Sequence, residues 1–366
     1  MVIKKKKIAY ILTDSRLGGT ERFLLKILKK IDKKKYKIIV ITLIGDKALN
    51  KKCDELKIEN YYLNFTKLNS LVNFFKLKKI ISQFKPEIIH SFLFHANYFS
   101  AHLKKSLKYP LLIISERCLD LKKSKLKIKL TRFYSRYADF IAPVSEEVRD
   151  LLLQREKIDE SKIIMIKNGI DPNDYNLNYK STFRETFNIP PEKFVILNIA
   201  RFRQEKGHYI LVRAFKIIHK KFPESVLVLV GDGEELSGIK RLVKKINLEN
   251  VIFTGERHDI MNILKGSDLS INSSFEEGFS AFNLESILAE VPLTLTDVGG
   301  NREILKFGIG VPIKRPNITS ISNSIESVIL NYKNIKSKTK RNKELILKKF
   351  SFKNILLELE KIYEKI

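Results

Sequence analysis

Short runs of aliphatic and β-branched residues alternate with helix-period segments along the whole chain. No other feature restricts the fold as strongly. In the first half the runs are IAYILT (8–13), KIIVITLI (37–44), EIIHSF (87–92), LLIIS (111–115), DFIAPV (139–144) and KIIMI (162–166). Helical candidates lie between them near 21–31, 68–84, 96–106, 121–137 and 146–155. The runs are continuously apolar rather than alternating, as expected of strands buried on both faces, so a parallel sheet covered by helices is predicted. A polar passage with Pro and Asn follows at 168–193. The alternation then restarts with FVILNIA (194–200), VLVLVG (226–231), VIFTG (251–255), LSIN (269–272) and PLTLT (292–296). The expected class is α/β, with two doubly wound parallel-sheet domains and a ligand cleft at the strands' carboxyl ends. The boundaries read as 1–170 for the first domain, 171–193 for a linker, 194–345 for the second domain and 346–366 for a helical segment.

A chain of 366 residues is long for one core and comfortable for two, and 44% hydrophobic content is that of a globular protein. Cys53 and Cys118 cannot build a disulfide framework, fit a reducing cytoplasm and read as ordinary buried thiols. The opening MVIKKKKIAYILTDS has only six apolar residues in its run and no small-residue cleavage site after it, so it reads as a first strand. No window has the roughly 18 consecutive apolar residues of a membrane-spanning helix.

Charge is uneven. Residues 1–170 carry 38 Lys and Arg against 17 Asp and Glu, a surplus of 21, whereas the remainder carries 31 against 24. Lys-rich genome composition explains scattered lysines but not this asymmetry. The clusters KKKK (4–7), KKIDKKKYK (29–37) and KKSKLKIK (122–129) suit an anionic membrane surface. Zinc-finger spacing, RNP-type aromatics and a recognisable helix-turn-helix are missing, so no nucleic acid partner is expected.

The loops after the strands are where an open parallel sheet builds its site. After the first strand, Gly18 and Gly19 precede a helix; close backbone approach to an anion and a plain tight turn are both open. His90 and His95 fall at the end of EIIHSF, as ligand-facing or as structural histidines. After FVILNIA, Arg201 and Lys206 bracket a loop leading into a helix, fit for a diphosphate, although a solvated loop would look similar. After LSIN, FEEGFSAFNLE (275–285) sets Glu277 and Glu285 around a helix start near 280–282. Carboxylates accept paired bonds from vicinal hydroxyls, and free amides at the helix start can meet a phosphate. The helix dipole alone accounts for either glutamate singly.

This ordered series resembles the retaining, nucleotide-sugar-dependent glycosyltransferases of the GT-B fold, specifically family 4. Its most specific part is E-x7-E, here Glu277 to Glu285. Around it stand LGGTERF (17–23), IIHSFLFHANYFSAHL (88–103), APVSEEV (142–148), KNGID (167–171), NIARFRQEKGHYILVRAF (198–215), LVGDGEE (229–235) and VIFTGERHDI (251–260). The resemblance implies two Rossmann-like domains facing each other across a cleft, with the C-terminal helices crossing back to the first. It places Gly18 and Gly19 against the donor diphosphate and acceptor cleft, and Arg201 and Lys206 on the leaving diphosphate. It gives Glu277 the hydroxyls of the donor sugar, helped by the backbone of Gly278, Phe279 and Ser280, and gives Glu285 the nucleotide ribose. It sets the Gly255 loop against the base and has Asn168 and Gly169 line the cleft. His95, rather than His90, is the expected catalytic histidine.

The same resemblance implies no cofactor and no divalent metal, and no DxD stands at the sugar-nucleotide position. The co-substrate expected is a UDP- or GDP-linked sugar, with retention by front-face attack. Three positions depart from the family pattern: Phe92 where a second histidine is frequent, Glu290 where glycine is common, and Asn283 in place of an aliphatic residue. The expected function is transfer of a sugar to a glycan or lipid-linked acceptor in surface polysaccharide or lipopolysaccharide synthesis. The expected place is the cytoplasm, peripheral on the membrane's inner face. A sugar-nucleotide epimerase or hydrolase of the same fold, and a non-enzymatic basic nucleic-acid- or membrane-binding protein, are the alternatives.

Overall fold

A computed structural model describes residues 4–108 and 110–364. The chain divides into two compact units, Met1–Asn168 with Asn354–Ile366, and Gly169–Lys353. Residues 171–193 belong to the second unit, where Arg184 donates to Asp268 at 2.6 Å.

The first unit holds strands β1 (Lys6–Asp14), β2 (Tyr36–Ile44), β3 (Glu59–Tyr62), β4 (Ile88–Phe92), β5 (Leu111–Glu116) and β6 (Phe140–Pro143). All are parallel, in the order β3-β2-β1-β4-β5-β6. Helices α1 (Gly19–Lys30), α2 (Ala48–Glu55), α3 (Ser70–Phe84), α4 (Phe94–Leu107), α5 (Lys125–Tyr137) and α6 (Glu146–Gln154) connect them. Ile8 to Leu12 are wholly buried, which is why β1 reads as an unbroken apolar run.

The second unit opens with α7 (Phe183–Thr186) and then repeats the plan. Its strands are β7 (Phe194–Ile199), β8 (Ser225–Val230), β9 (Val251–Gly255), β10 (Leu269–Asn272), β11 (Leu293–Thr296) and β12 (Val311–Ile313). Their order, β12-β11-β10-β7-β8-β9, is that of the first sheet. Helices α8 (His208–Lys221), α9 (Leu236–Lys245), α10 (Ile260–Lys265), α11 (Ala281–Leu288), α12 (Gly300–Leu305), α13 (Ile318–Leu330) and α14 (Tyr332–Lys349) cover it. The last helix, α15 (Phe352–Glu364), buries Tyr363, whose hydroxyl meets that of Tyr10 at 3.1 Å and Nδ1 of His90 at 2.7 Å. The expected doubly wound α/β architecture is therefore present twice.

Differences from expectation have local causes. KIIMI forms no strand: Ile164 and Ile166 donate to Ile141 and Pro143 of β6, but Pro143 has no N–H to donate back, so the ladder stops. The short edge strands β3 and β12 and helix α2 have no strong apolar period. The C-terminal tail is broken between α14 and α15 instead of continuous. Cys118 is exposed, correcting its reading as a buried thiol, while Cys53 is buried. Among the described residues no helix is long and apolar enough to cross a membrane.

Glu290 explains the preference for glycine at its position. Its φ of 59° is left-handed, and its carboxylate meets Lys343 at 2.7 Å. Glu290→Ala should keep the strain and lose the pair, whereas Glu290→Gly removes a strain of about 1 kcal/mol. Glycine should therefore give the higher thermal midpoint of the two; the reverse order would refute this account.

Candidate functional site

A doubly wound sheet opens a crevice where its strand order reverses, which in the second unit lies between β7 and β10. The loops that follow those two strands are bonded to each other. Phe275 N donates to Glu205 O at 2.7 Å, and Ser273 Oγ donates to Lys206 O at 3.0 Å. Gly207, at φ 69°, makes the approach possible: a Cβ there would lie 2.3 Å from Ser273 O.

On these loops Lys206 Nζ sits 2.8 Å from Glu277 Oε2, which also accepts from Ser274 Oγ at 3.1 Å. Glu277 is nearly buried, so its charge is held by a cation and a hydroxyl rather than by bulk water. Arg201, on the same loop as Lys206, is half-buried, and its guanidinium has no partner among the described residues. The next loop closes from the other side, with Gly300 N bonded to the carbonyls of Glu277 at 3.2 Å and Gly278 at 3.0 Å. A Cβ at Gly300 would meet Gly278 O at 2.5 Å, so this contact also requires glycine. Phe279 packs on Phe350, ring centres 5.0 Å apart. Gly255 ends β9 and accepts from Gly231 N at 2.9 Å, at the same carboxyl edge.

Helix α11 begins one residue after Ser280, which gives it no side-chain cap. Glu285 lies one turn in, and Tyr175 Oη donates to its Oε1 at 2.8 Å. That tyrosine comes from the Asn-rich passage, where nothing in the sequence marks it.

Asn283 is wholly buried beneath this segment and belongs to a closed ring of hydrogen bonds. Asn272 Nδ2 donates to Asn283 Oδ1 at 3.2 Å, and Asn283 Nδ2 to Asn301 Oδ1 at 2.7 Å. Asn301 Nδ2 donates to Thr296 Oγ1 at 3.3 Å, and Thr296 Oγ1 to Ser274 O at 2.7 Å. Ser274 N closes the ring on Asn272 Oδ1 at 3.2 Å. The ring thereby fixes the backbone of the residue whose hydroxyl touches Glu277. Only the departure of Asn283 from the family pattern hinted at it.

His208, first residue of α8, is buried and stacked on Phe202 at 4.1 Å. Burial, aided by nearby Lys206, lowers its pKa to about 4 and leaves it neutral at neutral pH.

The other expected residues lie in the first unit. Its strand order reverses between β1 and β4, where Thr13 Oγ1 accepts from Ala96 N at 3.0 Å. Gly18 caps α1 and donates its N–H to Glu21 Oε2 at 3.0 Å, so a carboxylate of the chain already sits at that helix start; Gly19 is the first helical residue. His95 is an exposed residue in the first turn of α4, its pKa lowered by partial desolvation of the ring and by Lys127. His90 is a core residue instead: wholly buried, bonded to Tyr363 and to Ser115 at 2.8 Å, with its pKa pushed down to about 3. Asn168 Oδ1 accepts from Arg117, a buried arginine that also donates to Ile166 O at 2.7 Å and stacks 3.8 Å over Phe23. Burial lowers the Arg117 pKa to about 9. Gly169 is the first residue of the second unit.

Comparison with known proteins gives the family and the fold. Residues 17–174 match the model of Glycosyltransferase Family 4, and residues 180–345 that of Glycosyl transferases group 1. The chain belongs to glycosyltransferase family 4. Within that family it is 32% identical over 192 residues to a glycosyltransferase of Methanocaldococcus jannaschii, covering 50% of this chain and 46% of that one. It is 29% identical over 205 residues to the Escherichia coli UDP-Gal:alpha-D-GlcNAc-diphosphoundecaprenol alpha-1,3-galactosyltransferase, covering 54% of this chain and 53% of that one. The chain thus spans about half the length of these curated relatives. Anabaena HepE, solved in complex with UDP and glucose, shares the fold with a TM-score of 0.87 at 19% identity, over 99% of this family 4 chain and all of HepE.

Proposed function

We propose that this family 4 chain transfers a sugar, with retention, from a nucleoside diphosphate sugar to a glycan or lipid-linked acceptor. The observation that carries the reading is the Lys206–Glu277 pair at the switch point of the second sheet, with Arg201, unpartnered among the described residues, on the same loop. Lys206 and Arg201 neutralise the departing diphosphate, which is where negative charge grows in the transition state. Glu277 takes hydroxyls of the sugar, and the backbone of Gly278, Phe279 and Ser280 lines the donor beside it. Glu285, oriented by Tyr175, takes the ribose diol, and the Gly255 loop takes the base. The acceptor hydroxyl attacks from the face the diphosphate leaves, so no protein nucleophile is required. Gly18, Gly19 and His95 serve the first unit's side of the reaction, with Asn168 and Gly169 at the passage between the two units in sequence. HepE was solved with UDP-glucose, and the E. coli relative is named for a UDP-Gal donor and a diphosphoundecaprenol acceptor. Both support a UDP-linked donor and a lipid-linked acceptor here, and the basic first half supports an anionic membrane surface as the place of work. The activity needs no resident cofactor in this reading.

Incubation with UDP-, GDP-, ADP- and CMP-sugars, with and without lipid-linked acceptor, tests the proposal. Acceptor-dependent release of nucleoside diphosphate is expected. Turnover that ignores acceptor would favour a hydrolase or epimerase, and no turnover with any donor would sink the reading.

A further inference from the structure

One face of the first unit carries apolar residues where a water-soluble surface has no use for them. Leu68 is 99% exposed, Leu71 68%, Val72 58% and Phe75 60%. At 100° per residue, Leu71, Val72 and Phe75 share one arc of α3, opposite the buried Asn73, Leu77, Ile81 and Phe84. This is a second apolar stripe on a helix whose first stripe already packs on the protein. Exposed Lys76 and Lys79 flank it, and residues 60–86 contain five lysines and no Asp or Glu.

Helix α5 continues the surface. Phe74 of α3 packs on Phe99 at 5.9 Å and His102 at 6.3 Å of α4, and His102 packs on Phe133 of α5 at 5.0 Å. The three helices therefore lie side by side on one face of the sheet. Leu126, 66% exposed, begins α5, and residues 121–138 hold seven cations and no acid. A hollow of about 600 Å³ on this helix is lined by Lys125, Lys129, Arg132, Arg136 and Arg155. Arg132 and Arg155 are spent on backbone carbonyls and Glu156, but Lys125, Lys129 and Arg136 form no ion pair among the described residues.

Topology fixes where this surface points. Crossover helices run antiparallel to the strands they join, so the starts of α3, α4 and α5 lie at the sheet's carboxyl edge. The exposed Leu71, Val72 and Leu126 consequently share an edge with His95 and the Gly18 loop.

We propose that the α3–α4–α5 face docks on an anionic lipid bilayer. The α3 stripe enters the headgroup–acyl boundary, and the α5 hollow receives lipid phosphates. Apolar residues interleaved with lysines are the combination such a surface binds, whereas a polyanion in water would use the lysines and leave the leucines exposed. The inference rests on the transferase reading only in giving the docking a purpose: it sets the acceptor-side loops beside the membrane that would carry a lipid-linked acceptor.

The chain contains no tryptophan, so Phe75→Trp provides a single reporter. With vesicles containing phosphatidylglycerol, its emission should shift to the blue and be quenched by brominated acyl chains. Pure phosphatidylcholine should give neither, and high salt should weaken binding. Leu71→Ser with Phe75→Ser, and separately Lys125→Glu with Lys129→Glu, should each weaken flotation with vesicles by about tenfold or more. Both variants should keep the wild-type unfolding midpoint and the wild-type stabilisation by UDP. Unquenched indole emission from the Phe75→Trp variant, or flotation unchanged in the Leu71/Phe75 variant, would overturn the proposal. Vesicle binding without any sugar-nucleotide turnover would leave this surface standing and remove the transferase reading; turnover without vesicle binding would do the opposite.

Discussion

Lys206→Met should lower sugar transfer by roughly 10²- to 10³-fold while leaving the chain folded, the cost of removing one preorganised charge from a developing oxyanion. Methionine keeps most of the lysine stem's volume, so the loss isolates the ammonium. The variant also strips Glu277 of its cation at 2.8 Å, leaving Ser274 Oγ as the carboxylate's remaining partner in that contact. A fall in kcat in a chain that still folds, larger than the lowering of the unfolding midpoint from the stranded Glu277 carboxylate accounts for, is the expected signature. Transfer within a few-fold of wild type would mean that Lys206 has only a structural role.

Asn283→Leu should destabilise the second unit by about 2–6 kcal/mol, although leucine is the kind of residue the family pattern favours there. The substitution opens the ring, leaving Asn272 Nδ2 and Asn301 Oδ1 without these buried partners. Each unpaired group costs about 1–3 kcal/mol. Because the ring fixes the backbone of Ser274, kcat should fall as well, with a smaller change in KM. Adding Asn301→Leu should cost less than it does alone, since the ring is already broken. Strict additivity of the two substitutions, read from denaturant midpoints, would contradict the ring as a unit.

The strands were legible because burial on both faces leaves an unbroken apolar run, as in Ile8–Leu12 and in β8. Edge strands escape that signal: β3 is Glu-Asn-Tyr-Tyr, and β12 has three residues including Pro312. KIIMI carried the signal but lacked a partner able to complete a ladder. At the site, residue types and loop positions pointed to Lys206 and Glu277, yet their contact joins residues 71 apart and depends on β7 and β10 being neighbours. The amide ring could not be read at all, because its five members gain meaning only when three loops converge. His90 and His95 looked alike in sequence; a tyrosine from the far end of the chain is what makes the first a core residue.

The division of labour between Lys206 and Glu277 is the central claim, and ligand-dependent unfolding midpoints test it most directly. Both UDP and a UDP-sugar should stabilise the wild type by mass action, about 2.7 kcal/mol at a hundredfold excess over Kd. Lys206→Met should reduce stabilisation by both ligands. Glu277→Gln should keep the response to UDP and lose only the increment that the sugar adds. Equal loss for UDP and UDP-sugar in Glu277→Gln, or full retention of both in Lys206→Met, would contradict it.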